Sequence, residues 1–137
     1  MKNLDALAAR TAHGIIDDTK VMNGEKLDAG KVDNLITKAL GVLQENGVYA
    51  AMLYFYSRTE KNDKFIAEKA REKLLFLLSE LEITGLPGTQ ASEALPFLSD
   101  SVCDDLDSLL LLKQLWEQTL IYARYGAKAR SAEEGRS

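Results

Sequence analysis

Apolar residues in this chain return at steps of three and four along most of its length, and no segment sustains the apolar–polar alternation of a half-buried strand. That period belongs to helices with one buried face. Leu4, Leu7, Ala8, Ala12, Ile15 and Ile16 define a first helix between Leu4 and Met22, ended by the "NGEKLDAG" stretch. Asp28 is placed to cap a second, in which Val32, Leu35, Ile36, Ala39, Leu40 and Leu43 keep the period with lysines on the other face. Asn46-Gly47 stops it, because a glycine just past a helix accepts the left-handed conformation that closes the last turn. "GVYAAMLYFYSR" predicts a short, very apolar helix in the core. Phe65, Ile66, Ala70, Leu74, Leu77, Leu78 and Leu81 predict a long helix ending near Gly85, with "GLPGT" as the turn. A loop or short helix around "SEALPFL" follows. Asp104 and Asp105 suit the first turn of a last helix from about Leu106 to Arg130, since carboxylates favour the positive helix end. The fold class expected is all-α: a single-domain bundle of five to six helices over residues 1–130, with "SAEEGRS", 131–137, as a frayed C-terminal tail.

A chain of 137 residues that is 46% apolar can bury a sizeable core without disulfides or metals. Its one cysteine, Cys103, excludes an internal disulfide framework, and no start-proximal apolar run preceded by basic residues resembles a signal peptide. A cytoplasmic protein is the expectation. Apolar runs such as Leu109 to Leu112 fall far short of the roughly 20 residues needed to span a bilayer. The net charge of −4 argues against a basic protein that coats nucleic acid without specificity. Charge is nevertheless uneven. From Leu74 to Leu112 there is no lysine or arginine, while Glu80, Glu82, Glu93, Asp100, Asp104, Asp105 and Asp107 are all acidic; bases collect in Arg58 to Lys73 and in the last helix. That polarity suits head-to-tail assembly or is simply a solvated surface.

Nucleophilic catalysis needs a base beside the nucleophile, and the only histidine and cysteine, His13 and Cys103, lie far apart in sequence. His13 reads as a packed or surface histidine and Cys103 as a small hydrophobe. No zinc site forms from one of each without carboxylate help. Hard cations take carboxylate oxygens, and the candidates are Asp17-Asp18 and Asp104-Asp105 with Asp107. Adjacent carboxylates on a helix point about 100° apart, so each pair offers one residue to a common site. Capping and solvation account for both clusters as well. The expectation is no catalytic set, no cofactor and no metal.

At about 100° per residue, Leu109, Leu112, Leu115, Trp116, Thr119, Leu120, Ala123 and Ala127 form the core face of the last helix. Leu110, Leu111, Ile121, Tyr122 and Tyr125 lie largely opposite, with Gln114 and Gln118. Such a helix either sits mid-domain or offers its second face to another protein. Lys113, Arg124 and Lys128 fall between the two faces with Glu117 among them. This basic seam fits an RNA backbone, with tyrosines to stack on bases, and equally fits cations complementing a helix C-terminus.

Three segments carry a family resemblance: "LDALAARTAHGIIDDTK", "LITKALGVLQENGVYAAMLYFYSR" and "LWEQTLIYARYGAKA". In that order, over about half the chain, they resemble the opening helix, middle segment and closing helix of the small α-helical subunit of the type III-B CRISPR effector, the Cmr complex. The resemblance implies a non-enzymatic subunit of an antiviral ribonucleoprotein. Its copies stack into a minor filament beside the backbone subunits and help to hold the guide–target RNA duplex. It implies as partners the other effector subunits, further copies of this chain, and guide and target RNA, with no membrane. Matching basic positions are Arg58, Arg124 and Lys128, with Lys20 as the late lysine of the first helix; Lys113 joins them through the seam. Tyr125-Gly126 stands where the family often has a basic and an aromatic residue. The small subunit of a related type III effector, a helical protein–protein adaptor and a carboxylate-metal hydrolase acting through Asp18 or Asp104 are the alternatives.

Overall fold

Asn3 opens the first helix: its side-chain oxygen accepts the Ala6 N–H at 3.0 Å, satisfying one of the amides that a helix start leaves unpaired. The computed structural model describes residues 3–81, 83 and 85–135. α1 covers Leu4–Asp18 and buries Leu7, Ala8, Ala12, Ile15 and Ile16, the stripe that the periodicity marks. Thr19 closes it, fully buried, its hydroxyl donating to the Ile15 carbonyl at 2.8 Å.

The next segment departs from the expectation of helices alone. Val21–Met22 (β1) and Glu25–Lys26 (β2) pair antiparallel, Val21 opposite Lys26 and Met22 opposite Glu25. Asn23 and Gly24 between them have φ of 52° and 81°. Two successive positive φ values define the tight hairpin turn that Asn-Gly favours.

Asp28 caps α2, Ala29–Asn46, by accepting the Gly30 N–H at 2.9 Å, as the sequence predicts. Gly47 then does two jobs. Its N–H reaches the Leu43 carbonyl at 2.9 Å to end α2, and its carbonyl accepts from Ala51 at 3.0 Å to begin α3, Val48–Tyr56. Its φ is positive, but with φ 95° and ψ −174° the backbone lies outside the compact left-handed helical region expected there. This region is open essentially to glycine alone. Nothing lies within 4 Å of a Cβ built at this position, so a substitution there meets only backbone strain. Gly47→Ala is therefore expected to cost about 1–3 kcal/mol of stability, read as a lower urea midpoint with an unchanged m-value.

α4 is Lys61–Glu80, capped by the Glu60 carboxylate on the Asp63 N–H at 3.0 Å, and it stops before Gly85. α5, Ala91–Phe97, realises the short helix around "SEALPFL". Pro96 has no N–H to donate, and the chain runs on into one wide turn, Leu98–Val102, closed by Cys103 N–H to the Leu98 carbonyl at 2.8 Å.

α6, Leu106–Glu134, is 29 residues long, about 43 Å at 1.5 Å per residue. It continues through Ser131–Glu134, where a frayed tail was expected; residues 136 and 137 lie outside the described residues. α6 packs chiefly against α1 and α2, and α3 joins α2 to α4 and α5. Gly126 lets α1 come close: a Cβ there would stand 3.1 Å from Ile16 Cγ1. One apolar cluster runs through all six helices, so the chain is the all-α bundle that the periodicity predicts. Among the described residues, no helix is long and apolar enough to cross a membrane.

Candidate nucleic-acid interface

α6 carries the seam. Its core face is buried as predicted from Leu112 to Ala127, with Leu109 half-buried at the edge. Tyr122 does not belong to a free outer face, because it is half-buried and its hydroxyl donates to the Asp5 carboxylate, tying the start of α1 to α6. Leu106, Leu110 and Tyr125 are 65%, 52% and 61% exposed. With half-buried Ile121 they lie on the outer side of α6, roughly 28 Å from first to last, with Gln114, Glu117 and Arg124 among them.

The five basic residues singled out by sequence already have partners within the fold. Lys128 Nζ stands 3.0 Å from Asp33 Oδ2 on α2. Lys113 is 4.0 Å from Glu117, one turn along, and Lys20 is 2.9 Å from Asp17. Arg58 donates through Nε to the Tyr54 carbonyl at 3.1 Å and through Nη2 to Ser57 Oγ at 2.9 Å, with its guanidinium 4.0 Å above the Tyr54 ring. Arg124 lies 5.9 Å from the Tyr125 ring, its Nε buried without an acceptor. Lys113, Arg124 and Lys128 share one line on α6, whereas Arg58 belongs to the end of α3 and Lys20 to the turn after α1. Among the described residues, no hydrogen bond or ion pair joins these three groups. Surface ion pairs of this kind contribute about 0–1 kcal/mol each, so an incoming phosphate can displace them at small cost.

Arg130 is the basic residue whose role sequence reasoning missed. Its side chain is only 10% exposed; Nη2 donates to the Leu27 carbonyl at 2.9 Å, Nη1 to Ile16 at 3.4 Å, and Nε lies 3.5 Å from Glu134. It ties the end of α1 and the β2–α2 junction to the last turns of α6. Its spacing places it on the core side of α6, which is the signal that was available.

The alternative chemistry gathers little. His13 is 79% exposed and 3.3 Å from Asp17; Asp18 stands 3.5 Å from Lys73. Burial pushes the Cys103 thiol up, away from the reactive thiolate. Among the described residues, no group of three or more His, Cys, Asp or Glu side chains is arranged to hold a metal ion.

The hydrogen bond and charge of Lys20 hold the Asp17 carboxyl below the ordinary aspartate value. A lowered folded value means that this contact adds stability above the ordinary range and loses it as pH falls through the lowered pKa. NMR titration is expected to show Asp17 moving up toward the ordinary value in Lys20→Ala.

Comparison with protein-family models, curated proteins and solved structures gives no match for this chain.

Proposed function

We propose that this chain is a non-catalytic small subunit of a type III-B CRISPR RNA-guided effector, packing beside its own copies and the larger subunits and helping to hold the guide–target duplex. The observation that supports this most is the second face of α6. Leu106, Leu110 and Tyr125 stay open to solvent on a helix whose first face is already full. Large apolar side chains left exposed on one side of a helix fit contact with another protein. The line of Lys113, Arg124 and Lys128 among these apolar residues is the part offered to RNA, with Arg58 and Lys20 as separate contacts. The partners assigned are effector subunits, further copies of this chain, and RNA.

A tagged pull-down from the native cell, read by mass spectrometry and RNA sequencing, tests the assignment. A multi-subunit assembly carrying short RNAs with a shared repeat-derived end is expected. Leu110→Glu should leave the isolated fold within about 0.5 kcal/mol of the parent, as surface changes do, and strip those partners away. Recovery of protein partners without RNA would favour a helical adaptor instead.

A further inference from the structure

A cluster of charged side chains on α4, two basic and two acidic, forms no ion pair within the fold among the described residues. Tyr56 at the end of α3, four residues of α4, and the loop before α5 line an open groove of about 420 Å³, with Arg58 at its edge. The four from α4 are Lys64, Glu68, Arg71 and Glu72, spaced so that all project from neighbouring positions on one side of the helix. Among the described residues, none of them forms an ion pair, unlike Lys20, Lys113 and Lys128.

Arg71 is set in place by stacking. Its guanidinium carbon lies 4.5 Å from the centre of the Tyr56 ring, and its Nε is buried without an acceptor. Tyr56 is itself fixed, since its hydroxyl donates to the Thr89 carbonyl on the opposite wall. A guanidinium held against a ring still carries a fork of N–H donors, the geometry that matches two oxygens of a phosphate. Lys64, exposed two turns before Arg71, adds a point charge. Glu68 lies between them along the helix. A carboxylate there repels a bare anion, but it accepts hydrogen bonds from sugar hydroxyls, as acidic residues do toward ribose in nucleotide sites. The volume is in the range of small-ligand pockets.

We infer that this groove binds a ribonucleotide, with Arg71 and Lys64 on the phosphate and Glu68 accepting from the ribose hydroxyls. The ribonucleotide is either a free mononucleotide or one unit of an RNA strand. The inference does not rest on the effector assignment, because the isolated chain suffices to test it.

The full-length protein is titrated with uridine 5′-monophosphate, its 2′-deoxy counterpart, inorganic phosphate and a short oligouridylate, followed by amide NMR shifts. Saturable shifts at Lys64, Glu68, Arg71 and Gln90 are expected, with the ribo form bound several-fold more tightly than the deoxy form. Saturation by the monophosphate identifies a free nucleotide; saturation by the oligomer alone identifies a strand unit. Lys64→Ala and Arg71→Lys should each weaken binding about tenfold, the scale of one lost charge-assisted contact. Glu68→Gln should weaken the ribo preference while phosphate-driven binding persists. Lys64 is exposed, so its variant keeps the test readable if Arg71→Lys loosens the Tyr56 stack. No saturable shift with any probe, shifts indifferent to both basic variants, or equal affinity for ribo and deoxy forms overturns the inference.

Discussion

Trp116→Ala lowers the stability of the fold by about 3–5 kcal/mol, and Trp116→Phe by about 1–2 kcal/mol. Trp116 is completely buried in the middle of α6, so truncation removes a large apolar surface and leaves a cavity that surrounding helices fill only in part. Its indole N–H also donates to the Leu74 carbonyl on α4 at 3.0 Å, the one hydrogen bond that α6 makes with that helix among the described residues. Leu74 sits inside α4, whose own ladder already uses that carbonyl. Removing the donor with its ring therefore orphans no acceptor, and phenylalanine is the milder change. A domain of this size holds about 5–15 kcal/mol in all, so the alanine variant is expected to be partly unfolded near body temperature. Far-UV circular dichroism in urea is the measurement, since the chain has a single tryptophan and both variants lose its fluorescence. A midpoint shift worth less than about 1 kcal/mol would show that Trp116 does not anchor the core.

The helices were legible because burial repeats their period. Leu35, Ile36, Ala39 and Leu40 are buried where the pattern put them, and so are Leu74, Leu77 and Leu78. What the pattern could not carry is structure shorter than one period or made by distant partners. Two strands of two residues each have no alternation to detect, so Asn23-Gly24 read as a helix breaker when it was also a hairpin turn. The wide turn at Leu98–Val102 follows Pro96, but sequence marks only where a helix is disturbed, not which hydrogen bond replaces the lost one. Ser131–Glu134 has Ala132 as its one apolar residue and read as tail. It stays helical where Glu134 stands 3.5 Å from Arg130, one turn back, and 3.4 Å from Lys26 on β2, the second a contact that no window along α6 contains.

The seam on α6 was equally legible, since rotation about one helix axis fixes Lys113, Arg124 and Lys128 on one line. Their partners were not. Asp33 lies 95 positions from Lys128 in sequence, and only the packing of α2 on α6 joins them. The α4 groove was hidden for a related reason. The base-rich stretch from Arg58 to Lys73 was visible, but the wall opposite Arg71 comes from Thr89 and Gln90, brought across by the Tyr56 hydroxyl.

Arg130→Met is expected to cost about 2 kcal/mol, where Lys128→Ala costs about 0–1 kcal/mol, although both remove one positive charge from the end of α6. The difference lies in burial. Lys128 meets Asp33 with 48% of its side chain exposed, so water replaces the partner when it is gone. Arg130 is 10% exposed and gives its two terminal nitrogens to backbone carbonyls. Ile16's carbonyl keeps the Thr19 N–H at 3.3 Å after the change, but the Leu27 carbonyl loses its charged donor where no water easily reaches. Methionine preserves the apolar stem, so the loss reports the hydrogen bonds rather than a cavity. The effect should be local as well as global: amides of the hairpin, residues 20–27, should exchange with solvent faster in Arg130→Met and stay protected in Lys128→Ala. Equal midpoints for the two variants, with an unchanged hairpin, would move Arg130 from structural tie to surface charge.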